Sequence, residues 1–340
     1  MNYITPGYED LELSTQLIIR EAQSRGLSVE VLDREANFIR ISGGGRIEYV
    51  KQATKTRLDS YITFLMLESK LVSKLALSEA GLSVPAGLSY TSAETASASF
   101  SQWRGKPLVI KPNSTNFGTG VVVFPHGTDE SGFRAGVDTA FAHDSRILIE
   151  DFAEGKEFRF LVIGDDVRAV LHRIPANVTG DGTSDIHELI QRKNLDPLRQ
   201  EGYVSPLEKL KAGEAERLYL HRQGLDFSSV PTKGKTVFLR QNSNISTGGD
   251  SIDYTDKVHP RFNDLAVAAA KALGASVCGV DIVARDIESQ PADDNYAVIE
   301  ANFNPALHIH DFPHRGKNRE VEKHLLDLLG FGRGLFAGED

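Results

Sequence analysis

Two apolar stretches near the end of the chain carry polar side chains that a buried strand would not be expected to hold. GVDIVARD contains Asp281, and VIEANFNP contains Glu300 and Asn302, which strand alternation places on one face. If Asp281 lies opposite, two carboxylates at ~4 Å repel by about 4 kcal/mol at an intermediate effective dielectric. A divalent cation relieves this repulsion, and Mg²⁺ prefers such oxygen ligands. The alternative is an ion pair between Asp281 and Arg285.

A loop between two short apolar runs has the composition of an anion-binding loop. In VIKPNSTNFGTGVVVF, residues 109–124, Gly118 and Gly120 let backbone amides approach an anion, and Lys111 adds a point charge. The segment lacks the strand, loop and helix order of a P-loop. We predict that it binds an anion, with a solvated hairpin turn as the alternative.

Two acids follow this loop in LIEDFAEGKEFRF. Glu150 ends one predicted strand, and Glu157 begins the next. Carboxylates in these positions can accept hydrogen bonds from an adenine amino group and from ribose hydroxyls, although acids at strand ends are usually only solvated. The pair therefore supports a nucleotide site only in combination with the other motifs.

The stretch LRQNSNISTGGDSID, residues 239–253, contains many neutral hydrogen-bonding groups. Arg240 is followed by amides, hydroxyls and two glycines before an acid, Asp250. Such a segment has little apolar surface to bury. It is interpreted as a binding segment, and the alternative is a solvated connector that satisfies its own turns.

The elements that must position these residues are predicted from apolar periodicity and from helix-stop signals. Gly81 and Pro85, for example, end a long helical pattern. The predicted helices cover residues 10–26, 61–80, 91–103, 184–192, 206–223, 262–274 and 318–330. The predicted strands cover residues 28–33, 107–111, 120–124, 146–151, 157–164, 167–173, 237–239, 276–286 and 296–303.

Composition limits the class of function. The formal charge of -9 argues against nucleic acid as the main partner, because phosphate binding needs clustered cations. No apolar run approaches the ~20 residues of a membrane span, and the polar start lacks a signal-peptide core. The single cysteine, Cys278, fits a reducing cytoplasm and is expected to be buried and inert. We expect a cytoplasmic protein that binds neither nucleic acid nor membrane.

Taken in order, these motifs resemble those of ATP-grasp ligases. The similarity is greatest to the glutathione synthetase module of bifunctional glutamate-cysteine ligase/glutathione synthetases, and cyanophycin synthetase is more distantly similar. The resemblance rests on LELSTQLIIREAQSRGLSVEVLDREANFIR, EYVKQATKT, RIPANVTGDG and LRQNSNISTGGDSID. It implies an α+β ATP-grasp fold with an N-terminal α/β domain (1–85), a small mobile lid (86–155) and a larger antiparallel-sheet C-terminal domain (156–335).

The resemblance also implies roles for particular residues. The residues implied for ATP are the phosphate lysines Lys70 and Lys111, the loop glycines Gly118 and Gly120, and the adenine and ribose acids Glu150 and Glu157. Lys74, one turn after Lys70, is the alternative nucleotide lysine. The residues implied for magnesium, expected as two ions with Mn²⁺ as a substitute, are Asp281, Glu300 and Asn302. Those implied for the substrate include Arg173 and Asn177.

The implied chemistry is carboxylate activation. ATP phosphorylates a substrate carboxylate to an acyl phosphate, and an amine then attacks to give an amide, ADP and phosphate. The protein supplies positioning and charge stabilisation rather than a nucleophile. In this scheme Arg240 faces the acyl phosphate, and Asn242 and Asn244 lie near the phosphate and the metal. The groups expected to hold the acceptor carboxylate belong to Ser246, Thr247, Gly248 and Gly249.

The resemblance implies glutathione synthesis from γ-glutamylcysteine and glycine. The alternative within the same chemistry is a peptide or natural-product ligase with another acid or amine. A nucleotide-binding protein without catalysis is a third hypothesis, but binding alone would not require both Asp281 and Glu300. A dehydrogenase is disfavoured, because SGGGRIE lacks the glycine spacing of a dinucleotide site.

The fused enzymes of this family carry a glutamate-cysteine ligase module upstream, whereas the present sequence begins at Met1 without it. We therefore expect a separate glutamate-cysteine ligase that supplies the dipeptide, an excised module, or changed substrates. Small-molecule substrates are the expected partners, and a homodimer is the expected oligomer.

Overall fold

The structure is a computed structural model that describes residues 3–116, 118–202 and 204–332. Phe117 of the glycine loop, and the part of the third predicted domain beyond residue 332, lie outside the described residues. The helices are α1 Leu13–Ser24, α2 Tyr61–Glu68, α3 Lys70–Glu79, α4 Ala93–Ala98, α5 Phe100–Trp103, α6 Glu130–Phe141, α7 Ile186–Lys193, α8 Glu214–Arg222, α9 Pro260–Ala272, α10 His308–Asp311 and α11 Val321–Leu328.

The strands follow the same chain order. They are β1 Ser28–Asp33, β2 Phe38–Gly43, β3 Arg46–Lys51, β4 Gly87–Tyr90, β5 Leu108–Pro112, β6 Val122–Phe124, β7 Ile147–Asp151, β8 Lys156–Ile163, β9 Asp166–Ile174, β10 Asn177–Thr179, β11 Arg199–Gln200, β12 Leu207–Glu208, β13 Thr236–Phe238, β14 Asp250–Asp253, β15 Val277–Ala284 and β16 Tyr296–Asn302. One 3-10 helix covers Ile245–Thr247.

The chain forms two compact units, and each is assembled from separate segments. Unit 1 comprises Met1–Leu58, Val167–Asp256 and Asn304–Asp340, and unit 2 comprises Asp59–Asp166 and Lys257–Phe303. Within the described residues, no helix is both long enough and apolar enough to cross a membrane. The division into three domains at residues 85 and 155 stays a prediction.

In unit 1, an antiparallel β1-β2-β3 sheet packs against α1, which also contacts α11. Alternation along β2 buries Ile39 and Ile41 on one face. Farther along the chain, β9 pairs with β14 and β10 pairs with β13, both antiparallel. An apolar core lies between β10, α7, α8 and the end of β13, and it includes Val178, Leu220 and Leu239. This core anchors the start of the polar segment 239–253.

Unit 2 contains two antiparallel arrangements. A four-stranded sheet with the order β4-β7-β5-β6 packs against α4 and α6 around Phe133, Ile110 and Ile149. Separately, β15 lies between β8 and β16, and α9 packs against β15 and β8. Every residue of β15 is buried, including Asp281, which the register places opposite Arg159 on β8 and Glu300 on β16.

Two predicted helices are wrong in extent. The pattern over 61–80 forms two helices, because Ser69 is extended and its hydroxyl caps α3 by accepting from the Val72 amide. The helix predicted over 206–223 is only α8, and its first residues instead form β12, which pairs with β11. The sequence patterns also did not predict β2, β3, β4, β10, β11, β14, α6 or α10. The prediction of a buried Cys278 is confirmed, and burial raises the pKa of its thiol to about 12.

Candidate active site

A buried carboxylate in unit 2 holds two lysines. Glu150, near the end of β7, has a side chain that is 3% exposed, and its oxygens lie 2.7 Å from Lys111 Nζ on β5 and 2.7 Å from Lys74 Nζ on α3. Burial raises the pKa of Glu150, but the charges of Lys111 and Lys74 outweigh burial and hold the pKa below its usual value. Glu150 is therefore ionised and fixes both ammonium groups.

Lys70 has different partners from Lys74, although it lies only one turn earlier on α3. Its Nζ donates to the Thr115 carbonyl at 2.6 Å and lies 3.1 Å from Glu300 Oε1. Lys70 thus connects the glycine loop to β16, whereas Lys74 lies with Lys111 on Glu150. The sequence alone leaves open which of the two lysines contacts nucleotide. In the structure they lie in different places, Lys70 beside Thr115 and Glu300 and Lys74 beside Glu150.

These groups line one cavity of unit 2. Its wall also includes apolar residues from α2, α3 and β16, such as Leu67, Leu77 and Val298. The polar residues in the wall are Lys70, Ser73, Lys74, Lys111, Glu150 and Glu300. Glu157, at the start of β8 opposite Val283, is not among the residues that line this cavity. An apolar wall with several cations is suited to a flat ring that carries phosphates.

The alternative of an ion pair between Asp281 and Arg285 is not what the structure shows. Instead of Arg285, the buried Arg159 of β8 donates from Nε and Nη2 to the two carboxylate oxygens, with Nη2 at 2.7 Å from Oδ2. Arg285 instead lies 3.5 Å from Glu154. Burial lowers the pKa of Arg159, but Asp281 and then Glu300 raise it well above its usual value.

The oxygen groups predicted for magnesium lie together. Asn302 Nδ2 donates to Asp281 Oδ2 at 3.1 Å, and Glu300 is the register partner of Asp281 on the next strand. Among the described residues no group of three or more His, Cys, Asp or Glu side chains could hold a metal. Two carboxylates and an amide nevertheless match the hard oxygen donors that Mg²⁺ takes, with water completing its shell. The Glu300 side chain, 31% exposed, is the accessible member of the set.

The glycine loop, Ser114–Gly120, is held at its start by Asp144 and has one internal side-chain contact. The amide and hydroxyl of Ser114 donate to Asp144 Oδ2 at 2.7 Å each, and the Thr115 hydroxyl donates to the Thr119 carbonyl at 2.8 Å. Gly118 and Gly120 have φ values of +75° and +73°, which only glycine adopts freely. The predicted need for glycine thus has a conformational reason.

The segment 239–253 lies in unit 1, and several of its donors are used internally. The amides of Thr247 and Gly249 donate to the Asn244 carbonyl at 3.1 Å each, and that of Gly248 donates to the Ile245 carbonyl at 3.0 Å. The expectation that these three amides are available to a substrate carboxylate is therefore not supported. The Thr247 hydroxyl also lies 2.8 Å from Asn242 Oδ1. Ser246 lies in the 3-10 helix Ile245–Thr247.

Two arginines hold other parts of this segment. Arg240 Nε donates to the buried Glu216 of α8 at 2.6 Å. Arg240 was predicted to be a catalytic cation, and in the structure its charge is paired with this glutamate. Arg173 of β9 donates to the Asn244 side chain and to the Ser243 carbonyl at 3.4 Å. The structure therefore brings Arg173 and Asn244 together, as a shared site requires.

Gly249 is required by close packing. A Cβ atom there would lie 2.8 Å from the Asn244 carbonyl oxygen and 2.9 Å from those of Ile174 and Ser243. A larger residue would disrupt the turn rather than fill a substrate pocket. A Gly249→Val variant therefore reports on folding of the turn and not on acceptor binding.

Comparisons with known proteins add a family relationship. Residues 9–62 match the family described as ATP-grasp-like domain. The glutathione biosynthesis bifunctional protein of Clostridium perfringens is 52% identical over 323 residues, which are 95% of this chain and 42% of the relative. That of Desulfotalea psychrophila is 48% identical over 99% of this chain and 43% of the relative. The chain thus spans less than half the length of these relatives.

A solved structure agrees with this relationship. The crystal structure of a bifunctional glutathione synthetase from Pasteurella multocida matches with a TM-score of 0.75 at 42% identity, over 96% of this chain and 45% of that one. The fold is the ATP-grasp fold, of the α+β class predicted from the sequence. Within that class, the chain is homologous over nearly its whole length to a part of the bifunctional glutathione biosynthesis proteins, which confirms the resemblance inferred from its motifs.

Proposed function

We propose that the chain is an ATP-dependent carboxylate-amine ligase that forms glutathione from γ-glutamylcysteine and glycine. The observation that carries the proposal is the unit 2 cavity, in which three lysines meet Glu150 and Glu300. The names of the relatives support glutathione as the product. Their bifunctional character makes a glutamate-cysteine ligase activity the source of the dipeptide, whether in the same or in a separate chain.

In the proposed reaction, the γ-phosphate of ATP is transferred to the cysteinyl carboxylate of the dipeptide. Lys111 and Lys74, fixed by Glu150, neutralise charge on the nucleotide phosphates. Lys70 contributes a third cation from the start of α3, where it contacts the glycine loop. Apolar side chains of the cavity pack against adenine, with Glu157 assigned to the ribose. The glycine loop, with Gly118 and Gly120, covers the phosphates and excludes water, because an exposed acyl phosphate would hydrolyse.

Metal binding in this proposal uses Glu300, Asn302 and Asp281. A bound Mg²⁺ would supply charge neutralisation for the transferred phosphoryl group. Arg159 orients the Asp281 carboxylate whether or not a metal is bound. Two ions, with Mn²⁺ as a substitute, remain the expected number.

The second step is attack by the free amine of glycine on the acyl phosphate. The tetrahedral oxyanion needs a positive partner, and the family resemblance assigns this step to Arg240, Asn242 and Asn244, with Arg173 assigned to substrate binding. Phosphate then leaves, and the amide bond remains. Asn177 and the turn Ser246–Gly249 are assigned to substrate binding in this scheme. The proposed ligase acts on small molecules in the cytoplasm.

A screen of substrate pairs tests the proposal. Phosphate release is measured with ATP and Mg²⁺ over a matrix of dipeptides, amino acids and amines, and each product is identified by mass. The expected result is greatest turnover with γ-glutamylcysteine and glycine, with glutathione as the product. Turnover with another acid or amine, and none with this pair, would reject glutathione synthesis while retaining the ligase chemistry.

A further inference from the structure

A mostly buried arginine lies among the predicted metal ligands of unit 2. The strand register aligns Arg159 on β8, Asp281 on β15 and Glu300 on β16 across the sheet. Two residues along the same strands, Gly279 is the register partner of Asn302. Because side chains alternate along a strand, these five positions share one face of the sheet. Arg159 therefore belongs to the predicted site, although no motif in the sequence indicated it.

The Arg159 side chain extends along β15 toward Gly279. Its Nε and Nη2 donate to the two carboxylate oxygens of Asp281. A Cβ atom on Gly279 would lie 2.7 Å from Arg159 Cδ and 3.0 Å from Arg159 Nη1. The glycine therefore leaves the space that the guanidinium occupies, and Asp281 fixes the orientation of the guanidinium in that space.

The second terminal nitrogen of Arg159, Nη1, remains available to a ligand. Nη1 carries two N–H donors, and in the part of the chain that the structure describes it has no hydrogen-bond partner. The Arg159 side chain is 13% exposed, and Nη1 retains contact with solvent. Asp281 thus uses one edge of the planar guanidinium, and the other edge can donate to a phosphate oxygen.

A phosphoryl group in transfer carries negative charge on three oxygens and needs cations close to it. Lys70, whose Nζ lies 3.1 Å from Glu300 Oε1, supplies one such cation. Arg240, which the resemblance assigns to the acyl phosphate, belongs to unit 1 and is paired with Glu216. Arg159 shares its face of the sheet with Glu300, so it is placed to supply a second cation in unit 2.

We propose that Arg159 is a catalytic residue of the first step and that its Nη1 donates to the phosphoryl group during transfer. This proposal rests on the proposed ligase function. In that step the bond between the γ-phosphorus and the β,γ-bridging oxygen breaks, and ADP leaves with the electron pair. A bond forms between the γ-phosphorus and an oxygen of the cysteinyl carboxylate. Arg159 transfers no proton and neutralises charge on the non-bridging oxygens.

Two variants disturb Nη1 without removing the positive charge. Arg159→Lys can still pair with Asp281 but has no second terminal nitrogen. Gly279→Ala displaces the guanidinium, because the new Cβ would overlap it. The matched control is Arg25→Lys, since the Arg25 side chain is 3% exposed and pairs with Glu21 at 2.9 Å, away from every predicted site residue.

The measurements on the full chain separate the first step from metal binding and from nucleotide binding. The kcat for glutathione formation is measured over a Mg²⁺ series at saturating substrates. Hydroxylamine in place of glycine traps the acyl phosphate as a hydroxamate and so isolates the first step. Equilibrium binding of ADP reports on the nucleotide site, and the melting temperature reports on the fold.

Arg159→Lys is expected to lower kcat and the rate of hydroxamate formation by about a hundredfold or more, and Gly279→Ala by about tenfold or more. The Kd for ADP should change less than twofold, and excess Mg²⁺ should restore neither rate. Arg25→Lys is expected to lower the melting temperature and to leave kcat within twofold of wild type. Gly279→Ala keeps both Arg159 and Asp281, so it gives a result even if Arg159→Lys fails to fold.

Restoration of both rates by excess Mg²⁺ would overturn the proposal, because Arg159 would then act only by orienting a metal ligand. Wild-type rates of hydroxamate formation in Arg159→Lys or in Gly279→Ala would overturn it as well. The proposed function is tested separately, by the product that the wild-type chain forms. If that product is another amide, the hydroxamate assay with the corresponding acid still tests Arg159.

Discussion

The ion pair with Arg159 changes the role that can be assigned to Asp281. The sequence indicates that Asp281 needs a positive partner, but Arg159 is 122 positions earlier and only the strand register brings the two together. Gly279 makes this possible, because a Cβ there would lie 2.7 Å from Arg159 Cδ. The arginine occupies the space that a side chain on β15 would take. Asp281 therefore has a structural partner before any metal binds.

Glu300→Gln tests the predicted role of Glu300 as a metal ligand with the least effect on folding stability. We expect loss of nearly all ligase activity, partly restored by excess Mg²⁺ if only affinity is reduced, and a free energy of unfolding changed by less than about 1 kcal/mol, because Glu300 is partly exposed. Steady-state rates over a Mg²⁺ series and denaturant unfolding measure the two effects.

Asp281→Asn is the contrasting variant. It leaves Arg159 buried without its carboxylate partner, so we expect a loss of stability of about 3–5 kcal/mol in addition to the loss of activity. Unchanged turnover in Glu300→Gln and Asp281→Asn together would reject the metal site.

The two lysines of α3 are separable by mutation. Lys74→Met is expected to weaken ATP binding at least tenfold, because it removes a cation that Glu150 holds beside Lys111, and a charged hydrogen bond contributes about 1.5–3 kcal/mol. Lys70→Met is expected to weaken it less in the absence of Mg²⁺. Equilibrium binding of a fluorescent ATP analogue measures both, and the reverse order would assign the nucleotide to Lys70.

At the scale of elements, the glycine loop is the segment whose order should depend on nucleotide. Its residues Ser114, Asn116, Gly118 and Thr119 are exposed and have few apolar contacts. We expect limited proteolysis to cleave within Ser114–Thr119 faster without an ATP analogue than with it. Lys70→Met should increase cleavage in the nucleotide-free state, because it removes the contact to the Thr115 carbonyl. Equal cleavage with and without nucleotide would contradict a lid.

A pair of acids at the α10 and α11 ends predicts a pH dependence of stability. Burial, followed by interaction with Glu322, raises the pKa of Asp311 to about 9. In the unfolded chain the pKa is about 3.9, so between these values the folded state binds the extra proton and stability falls as pH rises.

Asp311→Asn removes the titrating group and keeps an oxygen that can accept from the Val321 amide, as Asp311 does at 3.0 Å. The free energy of unfolding of the variant, relative to wild type, is expected to increase with pH by at most about 1.4 kcal/mol per unit. Denaturant unfolding at pH 5, 7 and 8.5 measures it. A difference that stays constant with pH would contradict a protonated Asp311.

Some elements could be predicted and others could not, for identifiable reasons. The apolar runs of β15 and β16 and the apolar face of α9 are local patterns, so the positions of these elements followed from the sequence. The break at Ser69 did not, because the apolar pattern continues through it and the contact that favours it comes from Asn113, whose Oδ1 accepts from the Leu71 amide at 2.9 Å. The β2-β3 hairpin has a local sequence signal, apolar alternation on both sides of a glycine triplet, which the strand predictions did not include.

At the scale of the whole molecule, the proposed nucleotide and metal residues all belong to unit 2, and the predicted catalytic and substrate residues from Arg173 to Asp250 all belong to unit 1. Recurrent motifs predict both groups from the sequence. The partners that hold them, Arg159, Glu216 and Arg199, could not be identified, because arginines and glutamates on strands and helices carry no motif of their own.

An isotope-transfer experiment tests the central claim, ATP-dependent amide formation through an acyl phosphate. The wild-type chain is given ATP, Mg²⁺, glycine and γ-glutamylcysteine labelled with ¹⁸O in both oxygens of its cysteinyl carboxylate, and mass spectrometry follows the label. The account predicts glutathione with one labelled oxygen in the new amide and one labelled oxygen in the released phosphate. Unlabelled phosphate, with the label in AMP or with no glutathione formed, would contradict it.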